Sequence, residues 1–128
     1  MKFGYTIVYV TSVADTLDFY QAAFGFKTRF LHESGEYGEL DTGDTALAFA
    51  SHDMGAMNFG ERYQKATAGF GTELAFVTND VTAAYARAIE AGAIAISPPA
   101  DKPWGQTVAY VRAAEGSLIE LCSPVQGD

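Results

Sequence analysis

Cysteine is nearly absent: Cys122 is the only one, which excludes an internal disulfide and a thiolate metal cluster. Histidine is almost as scarce. With His32 and His52 alone, the chain has little imidazole to offer zinc or ferrous iron, which normally take nitrogen alongside carboxylate. Positive charge is in short supply too, with 8 Lys and Arg against 16 Asp and Glu, a formal net charge of −8. That argues against nucleic acid as a partner, because affinity for it comes from neutralising phosphates, and against an anionic membrane surface. It does not by itself call for a basic ligand, since acidic surfaces also keep proteins soluble. Apolar runs are short: none approaches the roughly 20 residues of a membrane span, and no charged-then-apolar leader opens the sequence. The expectation is a cytoplasmic protein.

What is present is a folded core of small size. At 128 residues the chain is one domain, or two very small modules sharing a core, and 48% hydrophobic content supports burial. The chain also repeats itself at half its length. Phe3-Gly4 opens a run of alternating apolar residues ending at Val10-Thr11, and Phe70-Gly71 opens a second ending at Val77-Thr78. Each is followed by a helical pattern that stops at a glycine, Gly25 or Gly92. Two copies of one supersecondary unit are expected.

The first copy reads as a strand over 3–10, then a helix capped by Ser12, with Val13, Leu17, Tyr20 and Phe24 on one face. Gly25 ends that helix in the left-handed conformation. Strands follow over 26–33, 36–42 and 45–51, the last two joined by an Asp41-Thr42-Gly43-Asp44 turn. The second copy reads as a strand over 71–78, a helix with Val81, Ala84, Tyr85, Ala88 and Ile89 as its stripe, and strands over 93–97, 105–112 and 117–123. Pro98-Pro99 is expected to end the first of these three strands. The class is therefore α+β, two βαβββ modules in tandem. Module 1–53 and module 70–128 flank a linker or lid over 54–69, in which a short helix is expected around Glu61 to Thr67.

Alternation along the strands sorts the side chains into faces. One face of each sheet is uniformly apolar and should carry the helix. The other mixes aromatic, small and acidic residues: Tyr5, Ile7 and Tyr9 on the first strand, Ala46, Ala48, Ala50 and His52 on the fourth, Glu73, Ala75 and Val77 on the fifth, Leu118, Glu120 and Cys122 on the last. A mixed face suggests a ligand cavity, with the small residues around Ala48 leaving room. In a closed cavity Glu73 and Glu120 would be paired, protonated or bound to a cation; in an open one they would simply be solvated. Either could instead be a wet or salt-bridged surface glutamate, with Arg112, one strand away, a candidate partner for Glu120. Trp104, in a Pro-Trp-Gly loop, is expected at the rim, while His32 lies near a turn, in solvent.

The order and spacing of several short motifs resemble the vicinal oxygen chelate superfamily, which includes glyoxalase I, extradiol dioxygenases and bleomycin-resistance proteins. They are Tyr9-Val10-Thr11-Ser12-Val13 running into Phe19-Tyr20 and Phe24-Gly25-Phe26, then Asn79-Asp80-Val81 with Gly92, Pro103-Trp104-Gly105, and Gly116-Ser117-Leu118-Ile119-Glu120-Leu121. The resemblance spans nearly the whole chain. It implies curved mixed sheets that form a ligand cup, helices on the outer faces, and a homodimer. In metal-using members the ligands come from the first and last strands of each module, which correspond here to Tyr5, Ala48, Glu73 and Glu120. A common pattern places His at the first and third of these and Glu at the last; only Glu120 matches.

No cofactor is therefore expected. If a divalent metal binds, its ligands would be Tyr5, Glu73 and Glu120. The resemblance implies a metal-free small-molecule binding protein of the glyoxalase or bleomycin-resistance kind, with a role such as antibiotic resistance. It would hold an aromatic or cationic ligand among Tyr5, Tyr9, Ala48, His52, Phe59, Glu73, Trp104, Tyr110 and Glu120, with Tyr63 nearby in the lid. The alternative is a lyase, isomerase or dioxygenase with an atypical metal site, in which Glu73 or Glu120 serves as the catalytic base.

Overall fold

The structure is a computed structural model that describes residues 1–66 and 69–125. The chain divides into two compact units, Met1–Ala66 and Thr67–Asp128. Each carries one four-stranded mixed sheet.

In the first unit β1 (Tyr5–Val10) leads into α1 (Val13–Phe24), followed by β2 (Thr28–Leu31), β3 (Tyr37–Leu40) and β4 (Ala46–Ser51). The sheet order is β1-β4-β3-β2, with β1 and β4 parallel and the other neighbours antiparallel. The helix starts where expected: the Ser12 side chain accepts from the Asp15 N–H at 3.2 Å, and Thr16 donates to the Ser12 carbonyl at 2.7 Å. It ends at Gly25, left-handed at φ 80°. Val13, Leu17, Tyr20 and Ala23 are buried, with Phe24 only partly covered. The Tyr20 ring packs on Phe49, centroids 4.8 Å apart. Gly38 is what lets α1 lie so close to β3, because a Cβ there would stand 2.7 Å from Leu17 Cδ1.

The chain then forms α2 (His52–Phe59) and a 3-10 turn (Gly60–Arg62). The helix expected around Glu61 to Thr67 is thus found one stretch earlier; Thr67 itself lies outside the described residues. Its cause is local. Ser51 accepts from the Met54 N–H at 3.0 Å, an N-cap at the very end of β4, and Gly60 at φ 59° closes the helix.

In the second unit β5 (Glu73–Val77) leads into α3 (Val81–Glu90), followed by β6 (Ile94–Asp101), β7 (Thr107–Arg112) and β8 (Leu118–Cys122). The order β5-β8-β7-β6 repeats that of the first sheet, with β5 and β8 parallel. Asp80 caps α3 by accepting from the Ala83 N–H at 3.0 Å. The helix buries Val81 and Ala88, lying on β7 and β6, and Gly92 at φ 110° follows its last turn. Beneath it Ala109, Val111 and Ile119 are fully covered.

One strand is longer than expected. β6 does not stop at Pro98-Pro99 but runs through both to Asp101, with register shifts between Ala95 and Ser97 and between Ser97 and Ala100. It is the outermost strand of its sheet, where a missing backbone N–H leaves no neighbour unsatisfied. Among the described residues no helix is long and apolar enough to cross a membrane.

Candidate functional site

The pairing registers of the second sheet place the expected residues on one face. Ala75 lies opposite Glu120 across the parallel β5–β8 pair, Glu73 opposite Leu118, and Val77 opposite Cys122. Across the antiparallel β7–β8 pair, Tyr110 lies opposite Glu120, Val108 opposite Cys122 and Arg112 opposite Leu118. Glu73 and Glu120 are therefore diagonal neighbours.

The Tyr110 hydroxyl donates to Glu120 Oε1 at 2.8 Å. That bond, then burial, then the charges of Glu120 and Glu73 push the Tyr110 hydroxyl up to about 12, so it stays a donor. Glu73 is exposed on this face, and what cover it has, with the charge of Glu120 second, raises its carboxyl from the ordinary value. Cys122 sits beside them. Burial, ahead of contact with Glu120 and the charges of Glu120 and Glu73, pushes its thiol up to about 11, and Sγ lies 3.8 Å from the Phe76 carbonyl. The buried structural thiol is thus also part of the mixed face.

Arg112 does not pair with Glu120. Its Nη1 donates to the carbonyls of Gly69 at 2.8 Å and Gly116 at 3.0 Å, and its guanidinium lies 4.9 Å from the Phe70 ring centroid. The reason is register. Arg112 stands opposite Leu118, next to the β7–β8 turn that supplies Gly116, whereas Tyr110 stands directly opposite Glu120. Arg112 thereby fastens the segment that enters β5.

On the first sheet Tyr5 lies opposite Ala46, Ile7 opposite Ala48 and Tyr9 opposite Ala50. On the other side of β4, Glu39 lies opposite Ala48 and Tyr37 opposite Ala50. The row of alanines thus runs between two rows of larger side chains, and Ala48 is 0% exposed. Glu39 is a residue that the sequence reading missed. Its signal was the alternation in Tyr37-Gly38-Glu39-Leu40, which puts Gly38 and Leu40 under the helix and Tyr37 and Glu39 on the opposite face. The Tyr37 hydroxyl donates to Glu39 Oε2 at 2.7 Å. Burial first, and then that bond and the charge of Glu39, drive the phenol well above its ordinary range.

His52 opens α2, and its Nδ1 is hydrogen-bonded to the Tyr63 hydroxyl. The Tyr9 ring meets Tyr63 edge-on at 5.4 Å and Phe59 at 6.3 Å. Tyr9, His52 and Phe59 are thus brought together, His52 through Tyr63 and Phe59 through Tyr9. Trp104 is 61% exposed, yet its indole is fixed: Nε1 donates to Gln106 Oε1 at 2.7 Å, and Gln106 Nε2 donates to the Ser123 carbonyl at 2.8 Å. His32 is exposed, and its ring hydrogen-bonds within its own turn, through Ser34.

The donors at the four places tied to metal binding do not suit a transition metal. Ala48 has no donor atom, and Tyr5 offers a phenol. Glu120 already accepts from Tyr110, and Glu73 adds a carboxylate without imidazole beside it. Among the described residues, no group of three or more His, Cys, Asp or Glu side chains could hold a metal ion.

Fold and faces together define a paired βαβββ protein with an acidic, aromatic sheet face. The profile of the Glyoxalase/Bleomycin resistance protein/Dioxygenase superfamily matches residues 2–121, and the chain belongs to that superfamily. Among solved structures it is similar to a glyoxalase/bleomycin resistance protein/dioxygenase family enzyme from Burkholderia phytofirmans PsJN. The two are 22% identical over 96% of this chain and 98% of that one, with a TM-score of 0.81. It is similar to TioX from Micromonospora sp. ML1, 26% identical over 96% and 98% of the two chains, TM-score 0.69. A glyoxalase-related enzyme from Fulvimarina pelagi is 17% identical over 97% and 88%, TM-score 0.80. At such identities the first and third of these speak for the fold alone. No curated protein matches the chain.

Proposed function

We propose that this chain is a small-molecule binding protein of the glyoxalase/bleomycin-resistance type that works without a metal and holds an aromatic or cationic ligand. The observation that carries this reading is the second module's sheet face. Glu120 is held by a neutral phenol, Glu73 stands diagonal to it, and neither forms an ion pair among the described residues. A carboxylate without a cation of its own attracts one from outside. Aromatic rings supply stacking area and favour a positive charge over their faces; Trp104, exposed but pinned by Gln106, is the fixed ring of this module.

The test uses proflavine, a planar aromatic cation, titrated calorimetrically and followed by Trp104 fluorescence. The wild type binds it. Glu120→Gln weakens binding by about tenfold, as removal of a charge-assisted contact would, while unfolding stability changes by less than about 2 kcal/mol. A large loss of stability with unchanged affinity would make Glu120 structural and overturn the reading.

An enzymatic second reading, a lyase, isomerase or dioxygenase of the same superfamily, draws support from Glu73. Its carboxyl is shifted upward by burial and by Glu120, the direction that a general base acting near neutral pH requires.

A further inference from the structure

We propose that Glu39, held by Tyr37, is the first module's own cation-recognising residue, the counterpart of Glu120 held by Tyr110 in the second. The inference rests on the binding function above and extends it to a residue on a different strand.

The registers inside each module carry it. Ile7 faces Ala48 in the first module, and Ala75 faces Glu120 in the second. With Tyr5 and Glu73 taken as equivalent, Ala48 holds the place of Glu120. The first module therefore lacks a carboxylate on its inner strand. The antiparallel partner of Ala48 is Glu39, and that of Glu120 is Tyr110. So the carboxylate stands one strand further out in the first module, on β3 rather than β4. The phenol that holds it has moved as well: Tyr37 lies two residues before Glu39 on the same strand, and side chains two apart share a face. The exchange keeps the chemistry, a phenol donating to a carboxylate on the face away from the helix, at 2.7 Å in one module and 2.8 Å in the other.

Glu39 is half-buried. Its one hydrogen bond among the described residues uses Oε2 and comes from a neutral group. Among the described residues no ion pair involves it. Phe30 lies close, its ring centroid 6.4 Å from that of Tyr37, and Tyr5 and Ile7 line the other side of the alanine row. An unneutralised carboxylate beside aromatic rings is a site for an organic cation rather than for an anion or a neutral sugar.

The experiment compares proflavine with acridine, its neutral parent at pH about 8, binding to wild type, Glu39→Gln, Tyr37→Phe and Glu120→Gln by calorimetry. Glu39→Gln is expected to weaken proflavine about tenfold and leave acridine unchanged. Tyr37→Phe keeps the charge and drops the phenol bond, so it weakens proflavine by about threefold, and it decides the matter if Glu39→Gln does not fold. Proflavine affinity lowered by Glu120→Gln but not by either first-module variant overturns this inference and leaves the binding function standing. No proflavine binding by the wild type overturns both.

Discussion

Gly55 faces the Tyr63 ring so closely that a Cβ would stand 2.3 Å from its nearest atom. In an exposed helix interior, Gly→Ala gains up to about 1 kcal/mol. At this position the ring must leave, and with it the Tyr9 contact and the His52 hydrogen bond. Gly55→Ala is therefore expected to destabilise the protein by about 1–2 kcal/mol in urea unfolding, against the usual sign. Adding Tyr63→Ala should restore the ordinary gain from alanine, so the two substitutions will be non-additive. Single residues were also where the site was hardest to read from sequence. The faces of β1, β4, β5 and β8 followed from alternation alone. Glu39 lies on the strand expected over 36–42, whose alternation is as clear, but the places that the family resemblance singles out are on the first and last strands of each module, and Glu39 sits one strand further out. Arg112 lies one strand from Glu120, yet its register opposite Leu118 sends it to the Gly69 and Gly116 carbonyls instead. Nothing in a linear sequence distinguishes those partners.

The elements themselves were largely legible, because caps and breakers act locally. Ser12, Gly25 and Asp80 ended or began helices where their chemistry requires it. Two elements were not. β6 continues through Pro98-Pro99 because its position at the sheet edge, a property of the whole sheet, removes the cost of the missing donors. α2 forms where a strand ends in a capping serine, a signal overshadowed by the glycines that follow. That element also carries a pH dependence. Burial first, and Lys65 second, lower the His52 pKa below its ordinary 6.5, with Asp53 opposing them less strongly. A group whose native pKa is depressed takes up its proton in the unfolded chain first. The stability it contributes is therefore complete above about pH 6.5 and lost as pH falls toward the lower native value. Urea midpoints at about pH 7.5 and 5.5 should fall more in the wild type than in His52→Gln. Equal falls would mean that the imidazole ionises as freely in the fold as outside it.

At the scale of the whole molecule the formal charge of −8 acts twice. It repels itself in the compact state, and it draws a cationic ligand. Salt screens both effects. Raising NaCl from roughly 20 mM to 500 mM should therefore raise the melting temperature while lowering proflavine affinity. If both rise, binding is driven by apolar contact and the carboxylates are bystanders. Charge of one sign was plain in the sequence, and alternation put Glu73 and Glu120 on the mixed face; the hydrogen bonds that join Glu39 to Tyr37 and Glu120 to Tyr110 were not, because they depend on which side chains the fold brings within reach.

Cys122 carries a last consequence. It is the chain's one thiol, buried in β8 with its pKa pushed up to about 11. Thiolate is the reactive form, so an alkylating reagent finds almost nothing to attack while β8 stays in place. Labelling must wait for the strand to come away. The rate of alkylation in plain buffer then acts as a clock for spontaneous opening of the second sheet, with no engineered probe, and a ligand bound on that sheet would slow it.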